Sequence, residues 1–222
     1  MIMSSERFTF LSANANSDYW GQGNYPSWTR ISFMKPMPDQ KRGAGVEPHY
    51  HDNDEVWHFT SGRSEVWLDG TNYAVTPNTF VYTPMGVVHR LQMFTDFANV
   101  PIVTRLERRK RAGHILVEES GLPEFVVPGF VVSGSENVGP FKDRGRRCPF
   151  SEMRTVELGR GSELDERRLA QNEHWAVIYG RISICVDGVE VELSTNDVAL
   201  LRTGASRTLH ASTDAQVVVV RE

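Results

Sequence analysis

Residues 43–62 read GAGVEPHYHDNDEVWHFTSG, and residues 78–89 read NTFVYTPMGVVH. Within these two stretches, His49, His51, Glu55 and His89 are spaced as if they belong to one site. Two histidines that are separated by one residue on a β-strand direct both imidazoles to the same face, because successive side chains alternate between the faces. A carboxylate four residues later and a third imidazole from a later strand complete three nitrogens and one oxygen. This set predicts a site for a divalent first-row metal with open coordination positions.

The alternative interpretation is a group of ordinary hydrogen-bonded histidines inside a barrel. Three imidazoles and a carboxylate in one buried space are costly to desolvate unless a cation pairs with them. We therefore expect one divalent metal ion per chain.

Strand alternation also predicts which residues surround the metal. Trp57 and Phe59 share the face of Glu55, and Leu91 and Met93 share the face of His89, so these four are the expected substrate-lining residues. Their alternative role is that of ordinary core residues. The candidate catalytic residues are Glu55 and Tyr82, the latter as a proton donor, although a buried tyrosine at this position is also compatible with a structural role. His58 is expected to point away from the ligands, and nothing in the sequence places His114.

The composition is that of a soluble globular protein. The chain has 222 residues, of which 40% are hydrophobic and 23% charged, and its formal net charge of -4 gives no general basic surface for nucleic acid. Cys148 and Cys185 form no metal-binding or disulfide pattern, which favours a reducing, cytoplasmic location. No stretch approaches the roughly 20 apolar residues of a membrane span. We expect neither a nucleic-acid nor a membrane partner.

Short runs rich in β-branched and aromatic residues, separated by Gly, Pro, Asn and Asp, predict an all-β protein. The dipeptides Asp69-Gly70 and Asp187-Gly188 predict hairpin turns. The chain also repeats itself: EVWHFTSG at 55–62 corresponds to EHWAVIYG at 173–180, and NTFVYTPMGVVH corresponds to NDVALLRTGASR at 196–207. We interpret this as two copies of one barrel. The expected segments are an N-terminal extension (1–27), a metal-binding barrel (28–107), an ordered connection (108–150) and a degenerate barrel (151–222).

These residues resemble the two motifs of the cupin superfamily. The first motif, G-x5-H-x-H-x3/4-E-x6-G, is complete, with Gly43 and Gly62 flanking the ligands. The second retains Pro84, Gly86 and His89, whereas Asn78 replaces its leading glycine and Met93 its final asparagine. The resemblance implies jelly-roll β-barrels, or double-stranded β-helices, in a bicupin chain. It also favours Fe(II) or Mn(II) as the metal, with Ni, Co and Zn compatible with the same ligands.

The second half of the chain departs from the motif. Glu173 is retained, but Arg167 and Leu169 occupy the two first-motif histidine positions, and Arg207 occupies the second-motif position. We expect no metal there, and we attribute the retained Glu173 to buried hydrogen bonds or an arginine salt bridge.

Three functions are compatible with these observations. The first is a metal-dependent oxidoreductase, a cupin dioxygenase that brings O2 and a small oxygen-bearing substrate together. The second is a redox-neutral isomerase or epimerase of a sugar or keto acid, which needs a side chain that moves a proton. The third is a non-catalytic cupin that binds a metal or ligand. We expect a homodimer, and the N-terminal extension is the candidate segment for strand exchange.

Overall fold

The computed structural model describes residues 2–13, 24–33, 37–40, 42–68, 70–104, 111, 113–121, 130–132 and 151–222. In chain order its elements are β1 (Ile2–Ser4), β2 (Phe8–Leu11), β3 (Ile31–Phe33), β4 (Met37–Gln40), β5 (Gly45–Tyr50), β6 (Glu55–Phe59), β7 (Ser64–Leu68), β8 (Thr71–Val75), β9 (Phe80–Thr83), β10 (His89–Met93), β11 (Phe97–Thr104), β12 (Ile115–Leu116), α1 (Val117–Ser120), β13 (Phe130–Val132), β14 (Glu152–Leu158), β15 (Glu163–Arg168), β16 (Glu173–Tyr179), β17 (Arg181–Val186), β18 (Val189–Ser194), β19 (Val198–Leu201), β20 (Ser206–Ala211) and β21 (Ala215–Arg221). The predicted all-β fold is confirmed.

The chain divides into two compact units, and the first comprises the described residues between 31 and 132. We call it the first barrel. One of its sheets has the strand order β12-β5-β10-β7-β8, and the other has the order β13-β9-β6-β11-β3, with β4 also paired to β11. Buried and less buried residues alternate along β7 and β10, as expected when one face of a sheet covers a core. That core is an apolar cluster that includes Trp57, Val66, Val81 and Leu91.

The second barrel comprises the described residues 2–13, 24–30 and 151–222. Its sheets have the strand orders β1-β2-β19-β16-β21-β14 and β15-β20-β17-β18. Strand β2 comes from the predicted N-terminal extension, and it pairs with β19 of the same chain. From the sequence, this extension is the candidate segment for strand exchange with another subunit. All four residues of β2 are buried, and Phe8 and Phe10 pack in the core of the second barrel.

The sequence repeat appears as repeated strand register. Glu55 pairs with Thr83 in the first barrel, and Glu173 pairs with Leu201 in the second. The hairpin predicted at Asp187-Gly188 joins β17 to β18, and both residues have positive φ, 48° and 83°, as a type I′ turn requires. Duplicated spacing in the sequence therefore corresponds to duplicated pairing in the fold.

The expected segment boundaries at 27/28, 107/108 and 150/151 stay predictions. Cys148 and most of the connection from 108 to 150 lie outside the described residues. Within the part of the chain that is described, no helix has the length and apolar character needed to cross a membrane.

Candidate metal centre

Strand β5 brings the first two histidines to the interior of the first barrel. His49 is the next-to-last residue of β5 and His51 follows the strand, so alternation turns both imidazoles to one side. Strand β10 runs beside β5 and places His89 opposite His49. The ring centroids of His49 and His89 are 4.2 Å apart, and those of His49 and His51 are 5.0 Å apart. All three side chains are buried, so the imidazoles share one enclosed space.

Glu55 reaches this space from the other sheet of the first barrel. It is the first residue of β6 and is buried. Its Oε2 lies 3.2 Å from Nε2 of His51 and 3.6 Å from Nε2 of His89. The carboxylate and the three imidazoles therefore meet between the two sheets, and we call these four residues the histidine cluster.

Backbone carbonyls fix which ring nitrogen faces the interior of the cluster. The acceptors are the carbonyl oxygens of Glu47, Gly113 and Val87, which lie 2.7, 3.1 and 2.9 Å from Nδ1 of His49, His51 and His89, respectively. Because a carbonyl oxygen only accepts, each Nδ1 carries a hydrogen, and each Nε2 of a neutral ring keeps its lone pair. Nε2 of His49 has no hydrogen-bond partner among the described residues. This is the tautomer in which a histidine binds a metal through Nε2.

The pKa shifts reflect the same crowding. Burial, together with His89 and His114, lowers the pKa of His49 to about 2. Burial also opposes protonation of His51, but the Glu55 carboxylate outweighs it and raises the pKa of His51. Burial favours the neutral acid at Glu55, yet His51 and His89 reverse this effect and hold its pKa well below the ordinary value. His51 and Glu55 thus form an ion pair, and a divalent cation would compete with its proton.

Potential ligand atoms form two groups that share His51. Those of His51, Glu55 and His89 lie within 4.8 Å of one another, and so do those of His49, His51 and His114. The four predicted ligands therefore lie near one another. His51, Glu55 and His89 form one group, and His49 joins His51 in the group that contains His114. Imidazole nitrogen and carboxylate oxygen suit a divalent first-row ion, and the buried Nε2 of His49 lacks the partner that such an ion would provide. The residues fit the expected metal.

Trp57 is the predicted lining residue that borders the histidine cluster. Its ring centroid lies 5.3 Å from that of His89, with the rings at 75°. Phe59 follows on the same strand at 6.2 Å from Trp57. Leu91 and Met93 are buried and belong with both aromatic residues to one apolar cluster. All four residues are thus buried core residues, Trp57 contacts His89, and their contact with a substrate stays a prediction.

Tyr82 does not join the histidine cluster. In β9 it pairs with Val56, one position away from the pair formed by Glu55 and Thr83. Side chains of successive residues leave opposite faces of a sheet, so Tyr82 and Glu55 face different sides. The Tyr82 hydroxyl donates a hydrogen bond to Asp54 at 3.1 Å. This contact accounts for the buried tyrosine without a role in proton transfer.

His58 also lies away from the cluster, as alternation predicts. Its ring stacks on Phe80 with the centroids 4.4 Å apart. Burial lowers the pKa of His58 to about 4, so this residue is a neutral core histidine at physiological pH.

His114 is the residue near the site that sequence reasoning did not place. It directly precedes β12, which pairs with β5 at Tyr50 and His49. Its ring centroid lies 4.1 Å from that of His49 and 5.3 Å from that of His51. No motif spacing relates position 114 to the cluster. The available signal is a histidine followed by two apolar residues, Ile115 and Leu116, that are able to add a short strand.

Comparison with known proteins identifies the fold family. Residues 39–96, which contain all four residues of the histidine cluster, match the family described as Cupin domain. The resemblance of the two motifs to cupins is thus supported for this part of the chain. No curated protein matches the sequence.

Several solved structures resemble this chain over most or all of its length. AerE from Microcystis aeruginosa has 12% identity and a TM-score of 0.58, with 100% of this chain and 90% of that chain covered. Protein Ylba from E. coli has 10% identity and a TM-score of 0.59, with coverages of 100% and 93%. Salicylate 1,2-dioxygenase from Pseudaminobacter salicylatoxidans has 11% identity and a TM-score of 0.57, with coverages of 93% and 76%. At such low identity these similarities establish the fold alone.

The second barrel holds an ion cluster at the position of the first barrel's metal motif. Arg207 pairs with Arg167 across the strands, as His89 pairs with His49 in the first barrel. The buried Glu173 accepts hydrogen bonds from Nε of Arg207 at 3.1 Å and from Nε of Arg221 at 2.8 Å. Burial favours the neutral acid, but the two arginines outweigh it and lower the pKa of Glu173. Guanidinium groups thus occupy the place where a metal would meet the carboxylate.

Proposed function

We propose that this cupin is a metal-dependent enzyme that acts on a small molecule, and that its reaction is that of a non-haem dioxygenase. The observation that carries the proposal is the meeting of three backbone-oriented imidazoles with one carboxylate inside the first barrel. His49, His51, Glu55 and His89 would hold one divalent ion per chain, with Fe(II) or Mn(II) preferred to Ni, Co or Zn. A bound ion would supply the redox and Lewis-acid chemistry that these side chains lack.

The surrounding residues prepare the site for that chemistry. Hydrogen bonds from each Nδ1 to a backbone carbonyl hold the rings in place before an ion arrives. Glu55 contributes one negative charge, which lowers the net charge of a loaded site and favours divalent binding. Trp57 and the apolar cluster behind it limit the entry of water. In a drier site, electrostatic interactions with a polar substrate are stronger.

Two further considerations support a dioxygenase. Salicylate 1,2-dioxygenase has a similar fold over most of this chain, although one fold hosts many reactions. The neighbouring apolar surface also suits a substrate with an apolar body and two oxygen donors. We therefore propose a catechol, an enediol or a β-diketone as the substrate class.

The geometry weighs against the redox-neutral alternative. An isomerase or epimerase needs a side chain that carries a proton at the substrate. Tyr82, the predicted donor, faces the opposite side of its sheet and donates to Asp54. Glu55 is a poor base when it is a metal ligand. The positions of Tyr82 and Glu55 therefore do not support the redox-neutral alternative.

Oxygen consumption tests the proposal. Protein loaded with Fe(II) or Mn(II) is mixed with catechols, enediols and β-diketones in an oxygen electrode. We expect uptake with at least one class, its loss in His89→Ala, and its retention in His210→Ala, which removes an exposed histidine of the second barrel. Anaerobic turnover of a sugar or keto acid would contradict the oxygenase. Tight binding of metal and substrate without any turnover would favour the non-catalytic alternative.

We also propose that the protein is a homodimer. Because β2 is already paired with β19 in its own chain, the dimer contact need not involve exchange of that strand. Light scattering after size-exclusion chromatography gives the mass directly. A mass near twice 25.1 kDa is expected, and a mass near 25.1 kDa would contradict the dimer.

A further inference from the structure

A short segment holds His114 beside the histidine cluster by contacts on both sides of the residue. On one side, Gly113 accepts the hydrogen bond from Nδ1 of His51 at 3.1 Å. On the other side, β12 pairs with β5, with Leu116 opposite His49. The backbone around His114 is therefore tied directly to two of the four proposed ligands.

A salt bridge near the start of the same segment adds a further attachment. Nε and Nη2 of Arg111 donate to the two oxygens of Asp52, at 2.9 and 3.1 Å, and the backbone N–H of Arg111 donates to the same carboxylate at 3.0 Å. An exposed pair contributes little to global stability. The two parallel hydrogen bonds nevertheless fix the orientation of the Arg111 side chain relative to Asp52 as well as the distance between them. Asp52 directly follows His51, so the salt bridge connects the segment to the end of β5.

A ligand atom of His114 lies as close to those of His49 and His51 as the ligand atoms of His51, Glu55 and His89 lie to one another. The nitrogens of His49, His51 and His114 lie within 4.8 Å of one another, the same limit that holds for His51, Glu55 and His89. His114 is exposed, whereas His49 and His51 are buried, so it lies on the solvent side of the cluster. His49 also falls in the group of His114 and not in that of Glu55.

Resting on the metal site proposed above, we propose that His114 is a further imidazole ligand of the same ion. The chain thus provides four imidazoles and one carboxylate, and His114 binds from the solvent side. A ring that merely packs on His49 would explain the 4.1 Å centroid distance. It would not explain why the ligand atoms of three histidines lie close enough together for one ion.

Titration with Co(II) tests this inference without any assay of activity. The affinity is measured by competition with a chelator, and the visible absorption of bound Co(II) reports its coordination. We expect His114→Ala to weaken Co(II) binding by at least about tenfold, since even loss of a residue that only supports a ligand costs that much. We also expect its Co(II) spectrum to change, and added imidazole to restore the wild-type spectrum. His210→Ala, which removes another exposed histidine, is the matched control and should bind as wild type does.

The outcomes separate this inference from the proposed function. If the wild-type protein binds Co(II) and His114→Ala binds it with the same affinity and spectrum, His114 is not a ligand and the metal site stands. If the wild-type protein binds no Co(II), the proposed metal site fails and this inference fails with it. If His210→Ala weakens binding as much as His114→Ala, the effect belongs to surface histidines in general and the inference is overturned.

Discussion

Single residues decide which of the two barrels suits a metal. Glu55 and Glu173 occupy equivalent positions, and both are buried. Glu55 faces imidazoles, which can lose a proton and bind a metal in the neutral form. Glu173 faces Arg207 and Arg221, whose charge is permanent at physiological pH. The same carboxylate therefore belongs to a metal site in one barrel and to a closed ion cluster in the other.

Glu173→Gln tests the ion cluster through the pH dependence of stability. The folded-state pKa of Glu173 is lowered, so its stabilisation is present above the unfolded pKa, near 4.5, and is lost as pH falls through the folded pKa. At pH 7 we expect the variant to lose about 3 kcal/mol, the typical cost of breaking a buried pair. Urea unfolding at pH 7 and below pH 4 measures the difference, which should shrink in acid. Glu192→Gln, at an exposed site in the same barrel, should change little. A loss for Glu173→Gln that is equal at both pH values would contradict the account.

Metal binding should release a proton from His51. Glu55 raises the pKa of His51, so its proton competes with a metal ion up to a higher pH than the proton of an ordinary histidine does. We expect the affinity for Co(II) to rise with pH across the raised pKa. Calorimetric titration in two buffers with different ionisation enthalpies should show that protons are released when Co(II) binds. Identical heats in both buffers would show that His51 is already neutral.

The elements differ in how much of their position the sequence predicts. The motif residues on β5, β6 and β10 follow from fixed spacing and alternation, and the structure brings them together. The sequence alone does not show that Tyr82 and Glu55 face different sides of the sheet. The register between β6 and β9 decides the face of Tyr82, and it is set only when the two strands pair. His114 was not placed because β12 has two residues, too short to show a period. The pairing of β2 with β19 joins residues about 190 positions apart, and local patterns do not encode such contacts.

Strand β2 should stabilise the second barrel. Phe10 is 2% exposed and packs in its core, whereas Ile2 in β1 is 49% exposed. Phe10→Ala should lower the free energy of unfolding by about 3 kcal/mol or more, because truncation of a buried aromatic leaves a cavity. Ile2→Ala, the control at an exposed position of the same segment, should cost less than about 0.5 kcal/mol. Chemical denaturation measures both variants. If Phe10→Ala lowered the free energy of unfolding as little as Ile2→Ala does, the packing of β2 would not stabilise the second barrel.

At the scale of the whole molecule, the two duplicated barrels carry different sites. The groups of potential metal ligands among the described residues lie in the first barrel. The equivalent position of the second barrel contains arginines paired with Glu173. A ligand that binds only the folded state stabilises it according to its concentration and affinity. A metal should therefore stabilise the chain through the first barrel alone.

The most direct test of this account is the number of Co(II) ions bound per chain, measured by calorimetric titration followed by elemental analysis. We predict one ion for the wild-type protein, one for His210→Ala, and none at the same concentration for His89→Ala. No bound ion in the wild type, two ions per chain, or undiminished binding in His89→Ala would contradict a single metal site built on the first barrel's histidine cluster.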